Sequence, residues 1–279
     1  MLEHVRGNDD DGTGRLRLRF DPALRLFLAA RDRGGQCVVA HDGTSSLGHV
    51  VQSLGVPLTE VGALTADGRE VGAGHRPRDG ETIRVTAVPR PQPLPGPPRF
   101  LLDVHLGALA RRLRLVGVDT AYHNDRADDA LVAQANAERR VLLTQDRGLL
   151  RRRALWCGAY VRGARADEQL TDVLTRFAPP LAPWTRCTAC NGELAPVAKA
   201  EVDHLLRPGT RRTYQAFTRC RRCGRVYWPG AHHDRLEAVV AAARRAATPR
   251  RPPPAQRISA AADTPPLPGH RRPGRRPPR

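Results

Sequence analysis

Phe100-Leu101-Leu102-Asp103 and Val141-Leu142-Leu143-Thr144-Gln145-Asp146 are the stretches that decide the fold. Each is a short apolar run that ends in an aspartate, and each is separated from the next by an amphipathic helical pattern. After the first, Leu106, Leu109, Ala110, Leu113 and Val116 recur at helical spacing while Arg111, Arg112 and Arg114 face away. Asp119-Thr120-Ala121-Tyr122 reads as a second strand, and Asp128-Asp129 open a second helix running to about Glu138. Strand and helix in alternation are the signature of an α/β fold with a parallel sheet.

Ligands of open parallel sheets bind beyond the carboxyl ends of the strands, where Asp103 and Asp146 fall. Asp128 and Asp129, in the first turn of a helix, complete a cluster of acids. Converging carboxylates repel one another unless a divalent cation neutralises them. Mg²⁺ or Mn²⁺ held in that way activates water and stabilises charge on a phosphodiester, which is nuclease chemistry. Taken singly, each aspartate also reads as a helix cap or turn residue. Arg111, Arg112, Arg114, Arg147 and Arg151-Arg152-Arg153 are candidates for tracking a phosphate backbone, or else for solvated helix faces.

Cys187-Thr-Ala-Cys190 and Cys220-Arg-Arg-Cys223 stand about thirty residues apart. Each C-x-x-C turn brings two thiolates to one metal at about 2.3 Å, and two turns close a four-sulfur zinc shell. Such a shell is structural, with no open position for water or substrate. Two disulfides are the alternative, but the chain begins Met1-Leu2-Glu3-His4 without an apolar leader, so a reducing, cytoplasmic setting is expected. Tyr227 and Trp228 either stack a base or form the ribbon's small core; His232 and His233 read as surface residues or phosphate contacts. Cys37 and Cys157 lie alone in apolar surroundings and read as small buried hydrophobes.

The 279 residues allow two or three domains, and no apolar run is long enough for a membrane span. A formal charge of +18 favours a polyanionic partner. Two facts temper it. Lys199 is the only lysine, the bias of a GC-rich genome, and residues 248–279 carry eight arginines against one Asp263. That Pro/Arg-rich tail is expected to be disordered. Pro89-Arg-Pro-Gln-Pro-Leu-Pro-Gly-Pro-Pro98 is a semi-rigid spacer and marks a domain boundary. Before it, Arg15–Phe20 alternates as a half-buried strand and Gln36–Ala40 reads as a second. A short helix then carries Leu47, Val50, Val51 and Leu54, a turn lies at Ala66-Asp67-Gly68-Arg69, and a last strand runs over Gly80–Val88. This order resembles the β-grasp of ubiquitin and its sulfur-carrier relatives. Without the terminal Gly-Gly that carriers use, a docking role is the better reading.

Residues 99–237 resemble a PIN-like ribonuclease domain, the one named after the C-terminal region of the Mut-seven exonucleases. The likeness rests on Phe100–Asp103, the run Leu106-Gly107-x-Leu109-Ala110-Arg111-x-Leu113-Arg114-x-x-Gly117-x-Asp119-Thr120, Asp128-Asp129-x-Leu131 and Val141–Asp146. It extends through Cys187-x-x-Cys190 and Phe217-x-x-Cys220-x-x-Cys223-Gly224-Arg225-Val226-Tyr227-Trp228-Pro229-Gly230. The resemblance implies a PIN-like domain at 99–180, a zinc ribbon at 181–237, a ubiquitin-like domain at 14–90, and a tail over 248–279 outside all three. It implies that Asp103, Asp128 and Asp146 are the metal-binding acids of a ribonuclease, with Asp129 the adjacent alternative. The chain departs from the family at Arg165, where an acid is common before Glu168-Gln169-Leu170. Asp167 is the substitute acid or, on the better reading, a helix cap. Zn, Mg or Mn, an RNA partner, a protein partner for the β-grasp and a homodimer are the associated expectations. A non-catalytic RNA-binding or adaptor protein is the alternative function.

Overall fold

The computed structural model describes residues 14–247, so the expected disorder of the tail lies outside the described residues. Five strands form the first sheet: β1 (Gly14–Phe20), β2 (Gln36–His41), β3 (Val61–Ala66), β4 (Arg69–Val71) and β5 (Thr82–Ala87), in the order β2-β1-β5-β3-β4. The central pair β1 and β5 is parallel and its flanking pairs antiparallel, the β-grasp arrangement. Alternation in β1 buries Leu16, Leu18 and Phe20 against Val50 and Val51 of α1 (Leu47–Ser53) and leaves the arginines between them in solvent. Ser46 caps α1 by accepting from the His49 amide. Asp67 and Gly68 both take positive φ, which makes the two-residue turn joining β3 to β4.

Four parallel strands form the second sheet: β6 (Phe100–Leu102), β7 (Thr120–Tyr122), β8 (Val141–Thr144) and β9 (Gly158–Tyr160), ordered β7-β6-β8-β9. Helices cover both faces, which is why β6 and β8 are apolar without alternation. Phe100, Leu102, Val141 and Leu143 pack on α2 (Gly107–Leu115) and α4 (Ala166–Phe177). Leu101 and Leu142 pack on the other face, against Leu131, Val132 and Ala135 of α3 (Asp128–Ala137). The sheet is thus the parallel α/β layer expected from the sequence.

The third sheet, β10 (Leu194–Val197), β11 (Phe217–Cys220) and β12 (Val226–Tyr227), is a small antiparallel ribbon with two short helices, α5 (Lys199–Val202) and α6 (Pro208–Thr213). Val202, Leu206 and Phe217 make its core. A last helix, α7 (His233–Ala247), returns to the parallel-sheet core, where Val240 and Ala243 are buried. None of the described helices is long and apolar enough to cross a membrane.

The β-grasp part is tied to the parallel sheet by buried polar contacts. Glu60 and Arg176 are each 1% exposed; Arg176 Nη1 donates to both Glu60 oxygens at 2.7 and 2.8 Å. Glu60 also accepts from the Tyr160 amide, and Arg176 donates to the Thr59 carbonyl and to Gln92.

Candidate active site and metal centre

The chain runs outward from β6 to β7 and then crosses back to β8, so the strand order reverses between β6 and β8. The crevice at the carboxyl ends of those strands is where such sheets take ligands. Asp103 follows β6 and is 7% exposed. Its Oδ1 accepts from the Val104 amide at 2.6 Å and its Oδ2 from the Thr144 hydroxyl at 2.6 Å. Thr144, the last residue of β8, is fully buried, and its oxygen also accepts from the Asp146 amide at 2.9 Å. One hydroxyl therefore ties the two strand-end acids together. Asp146 itself is exposed and turns back to accept from the Gly148 amide at 2.6 Å. Thr144 stood in the sequence motif without a role; its signal is a polar residue closing a fully buried strand.

Asp128 and Asp129 open α3 on the same end of the sheet. Arg152 donates to Asp129 at 2.7 Å and lies 3.9 Å from Asp128. The Asp129 side chain is 85% exposed and that of Asp128 49%, so Asp129 is the acid turned outward and bound to a partner. Asp167 does not cap α4. It lies inside the first turn, where it pairs with Arg112 at 2.8 Å, while Glu168 accepts from the amides of Ala164 and Arg165. Among the described residues, the cysteine quartet is the group of three or more His, Cys, Asp or Glu whose ligand atoms all lie within 4.8 Å of one another; the aspartates are spaced more widely.

The arginines expected along a phosphate track divide. Arg114 does not face away: it is 3% exposed and donates to the carbonyls of Thr120, Thr188 and Ala189. It thus joins α2 and β7 to the first cysteine knuckle, and burial, the largest influence on it, lowers its pKa. Arg147 reaches into the β-grasp part, donating to the carbonyls of Leu26 and Phe27 and lying over the Phe27 ring at 5.2 Å. Arg112 and Arg152 are held by Asp167 and Asp129. Arg111, Arg151 and Arg153 stay exposed.

The four knuckle cysteines converge as their spacing predicts. Cys187 and Cys223 sulfurs lie 3.7 Å apart, and those of Cys190 and Cys220 lie 3.5 Å apart. A tetrahedral zinc with bonds of about 2.3 Å needs sulfur–sulfur edges of roughly 3.8 Å. Gly192 makes room for the closure, since a Cβ there would meet Cys220 Sγ at 2.9 Å. Burial alone would raise the Cys187 thiol, but the Tyr227 hydroxyl and the amides of Cys190 and Ala189 donate to it and bring it down to about 6. Burial and the neighbouring sulfurs push Cys190 up to about 12. The donor set and spacing fit zinc.

Tyr227 is therefore part of the ribbon's interior, its hydroxyl 3.0 Å from Cys187 Sγ. Trp228 is 41% exposed and tilts against Phe217. His233 packs on the Trp184 ring, with centroids 5.3 Å apart. Cys37 and Cys157 are half-buried rather than buried as expected, and burial raises the pKa of both thiols.

A family model described as Mut7-C RNAse domain matches residues 98–240, and one described as Mut7-C ubiquitin matches residues 14–93. No curated protein matches the chain. Among solved structures, the solution structure of the Haloferax volcanii HVO 2177 protein is similar at 23% identity over 34% of this chain and 98% of that one, with a TM-score of 0.24.

Proposed function

Because the chain belongs to the Mut7-C RNAse domain family, with the ubiquitin-like extension before it, we propose that it is a divalent-metal-dependent ribonuclease whose acids are Asp103, Asp128 and Asp146. The observation that carries the reading is the Thr144 hydroxyl, which binds Asp103 Oδ2 and the Asp146 amide at the point where the strand order reverses. Asp103 spends one oxygen on Val104 and the other on Thr144, so its carboxylate is fixed while further lone pairs stay available to a cation. Asp146 and Asp128 add exposed carboxylates on the same end of the sheet. Oxygen-only donors suit Mg²⁺ or Mn²⁺, and Mg²⁺ is commonly held by one or two carboxylates with its own waters and the substrate phosphate, so a wide spacing of the acids is compatible with it. When bound, such a cation supplies an activated water and neutralises charge on a phosphodiester under in-line attack. The protein's part is to fix the acids, through Thr144 and the rigid strand ends.

The working parts are assigned as a β-grasp domain at 14–90, a nuclease domain at 99–180 and a structural zinc ribbon at 181–237. A docking role for the β-grasp is supported by its edge strand β2, where Val38 is 62% exposed.

Manganese-dependent cleavage of a labelled RNA tests the reading. The wild-type chain is expected to cleave, and Asp103→Asn and Asp146→Asn variants with native folding to be inactive. RNA binding without cleavage in any divalent metal would identify a non-catalytic RNA-binding protein instead.

A further inference from the structure

A cavity of about 290 Å³ lies where α2 meets the zinc ribbon, and its side chains include Arg111, Arg114, Tyr122, Thr188 and Arg225 but no carboxylate. Its place in the fold is close to the acids. Gly107 at the start of α2 lines it, and the Tyr122 hydroxyl at the end of β7 donates to the carbonyl of Val104, the residue after Asp103. Gly107 keeps that wall open, because a Cβ there would meet the Tyr122 oxygen at 2.6 Å.

Three guanidinium groups from two separate parts of the chain thus converge without an acid between them. Elsewhere on this domain several arginines are matched, Arg99 and Arg140 with Asp119, Arg112 with Asp167 and Arg152 with Asp129, while Arg151 and Arg153 are exposed and do not line the cavity. Within the cavity only Arg114 is committed, to three carbonyls. Arg111 and Arg225 are exposed and have no acceptor or ion-pair partner among the described residues. Burial works against the charge of Arg114, while the adjacent sulfurs of Cys190 and Cys187 favour it. Arg111 and Arg225 have no such partner among the described residues, and like charges gathered at one recess are unfavourable until an anion joins them. Guanidinium groups in that arrangement match the geminal oxygens of a phosphate.

We propose that this cavity is a phosphate subsite: Arg111 and Arg225 clamp one backbone phosphodiester of single-stranded RNA, and the buried Arg114 and the hydroxyl of Thr188 shape its floor. The subsite rests on the RNA-substrate reading and gives the ribbon a second task, since Arg225 stands two residues after Cys223 of the second knuckle. It places the strand across the carboxyl end of β7 on its way to Asp103.

The test is equilibrium binding of a fluorescent single-stranded oligoribonucleotide to the full chain in Ca²⁺ at several salt concentrations, with zinc content confirming the fold of each variant. Arg111→Gln and Arg225→Gln are each expected to weaken binding equally for all sequences. Each single variant lowers the slope of log K against log salt by part of the roughly 0.7 that one phosphate contact on a single strand carries, and the Arg111→Gln/Arg225→Gln double variant lowers it by the whole of that amount and no more. Arg69→Gln, on β4 of the other sheet, leaves the slope unchanged. Wild-type slopes in both cavity variants, or no RNA binding by the wild-type chain, would overturn the subsite. A loss seen only with 5′-phosphorylated RNA would overturn the assignment to a backbone diester. Cleavage is scored separately: reduced slopes without cleavage in Mn²⁺ leave the subsite standing and sink the nuclease reading, and cleavage with unchanged slopes does the reverse.

Discussion

Removing one partner of the Glu60–Arg176 pair should destabilise the chain far more than loss of an exposed ion pair. Both side chains are 1% exposed, and they share two hydrogen bonds of 2.7 and 2.8 Å. Glu60→Leu would strand a buried guanidinium with the Thr59 carbonyl and Gln92 as its remaining acceptors, and would also orphan the Tyr160 amide. Breaking a buried pair in this way costs about 3–5 kcal/mol, against roughly 0–1 kcal/mol for a surface pair. Arg176→Met should cost a similar amount by burying an unpaired carboxylate. The double variant removes both charges and keeps only the smaller cost of unsatisfied polar groups, about 1–3 kcal/mol. Urea unfolding followed by tryptophan fluorescence gives all three values and hence the coupling energy of a double-mutant cycle. Single variants costing under about 1 kcal/mol, or a double variant costing the sum of the singles, would refute the claim that this pair locks the β-grasp to the parallel sheet.

Thr144→Val keeps volume and burial but releases Asp103 Oδ2 and the Asp146 amide; RNA cleavage should fall about 10²-fold in kcat, with KM for RNA little changed. Stripping zinc with a strong chelator, or Cys220→Ser, should unfold β10–β12, read as lost protection of their amides from hydrogen exchange while β6 and β8 stay protected. Asp119 bears on acid stability. Burial would raise its pKa, yet hydrogen bonds from Arg140 and Asn191 and the charges of Arg140 and Arg186 outweigh it and hold the carboxyl at about 2, below its ordinary 3.8. A carboxyl depressed in the folded state stabilises above pH 3.8 and loses that contribution as pH falls toward 2. The stability gap between wild type and Asp119→Asn should therefore close across that window in acid unfolding curves.

The parallel sheet was legible because strands covered on both faces are continuous apolar runs, and Phe100–Leu102 and Val141–Leu143 are little else. The Asp67-Gly68 turn and the cysteine knuckles were legible for the same reason: local geometry dictates their residue types. Strand β9 was not, being three residues with a glycine at its start. The arginines were the chief misreading. In a chain with one lysine, arginine looks like surface filler, and nothing near them in sequence announces the burial of Arg114 and Arg176 or the half-buried contacts of Arg147. Arg147 finds its partners 120 residues away, and Arg176 finds Glu60 at a separation of 116. Of the acids, the strand-end positions of Asp103 and Asp146 were readable from the pattern. What separates Asp128 from Asp129 in the fold is the tighter contact of Arg152 with Asp129, and Arg152 lies a helix and a strand further on.

The central claim is that the cation supporting RNA hydrolysis sits at the carboxyl end of the parallel sheet, between β6 and β8. Fe²⁺ with ascorbate, added to zinc-loaded protein, generates radicals that cut the backbone beside the bound metal. Cuts near residues 103, 128 and 146 that excess Mg²⁺ suppresses are expected. Cuts confined to the ribbon, or none that Mg²⁺ suppresses, would contradict it.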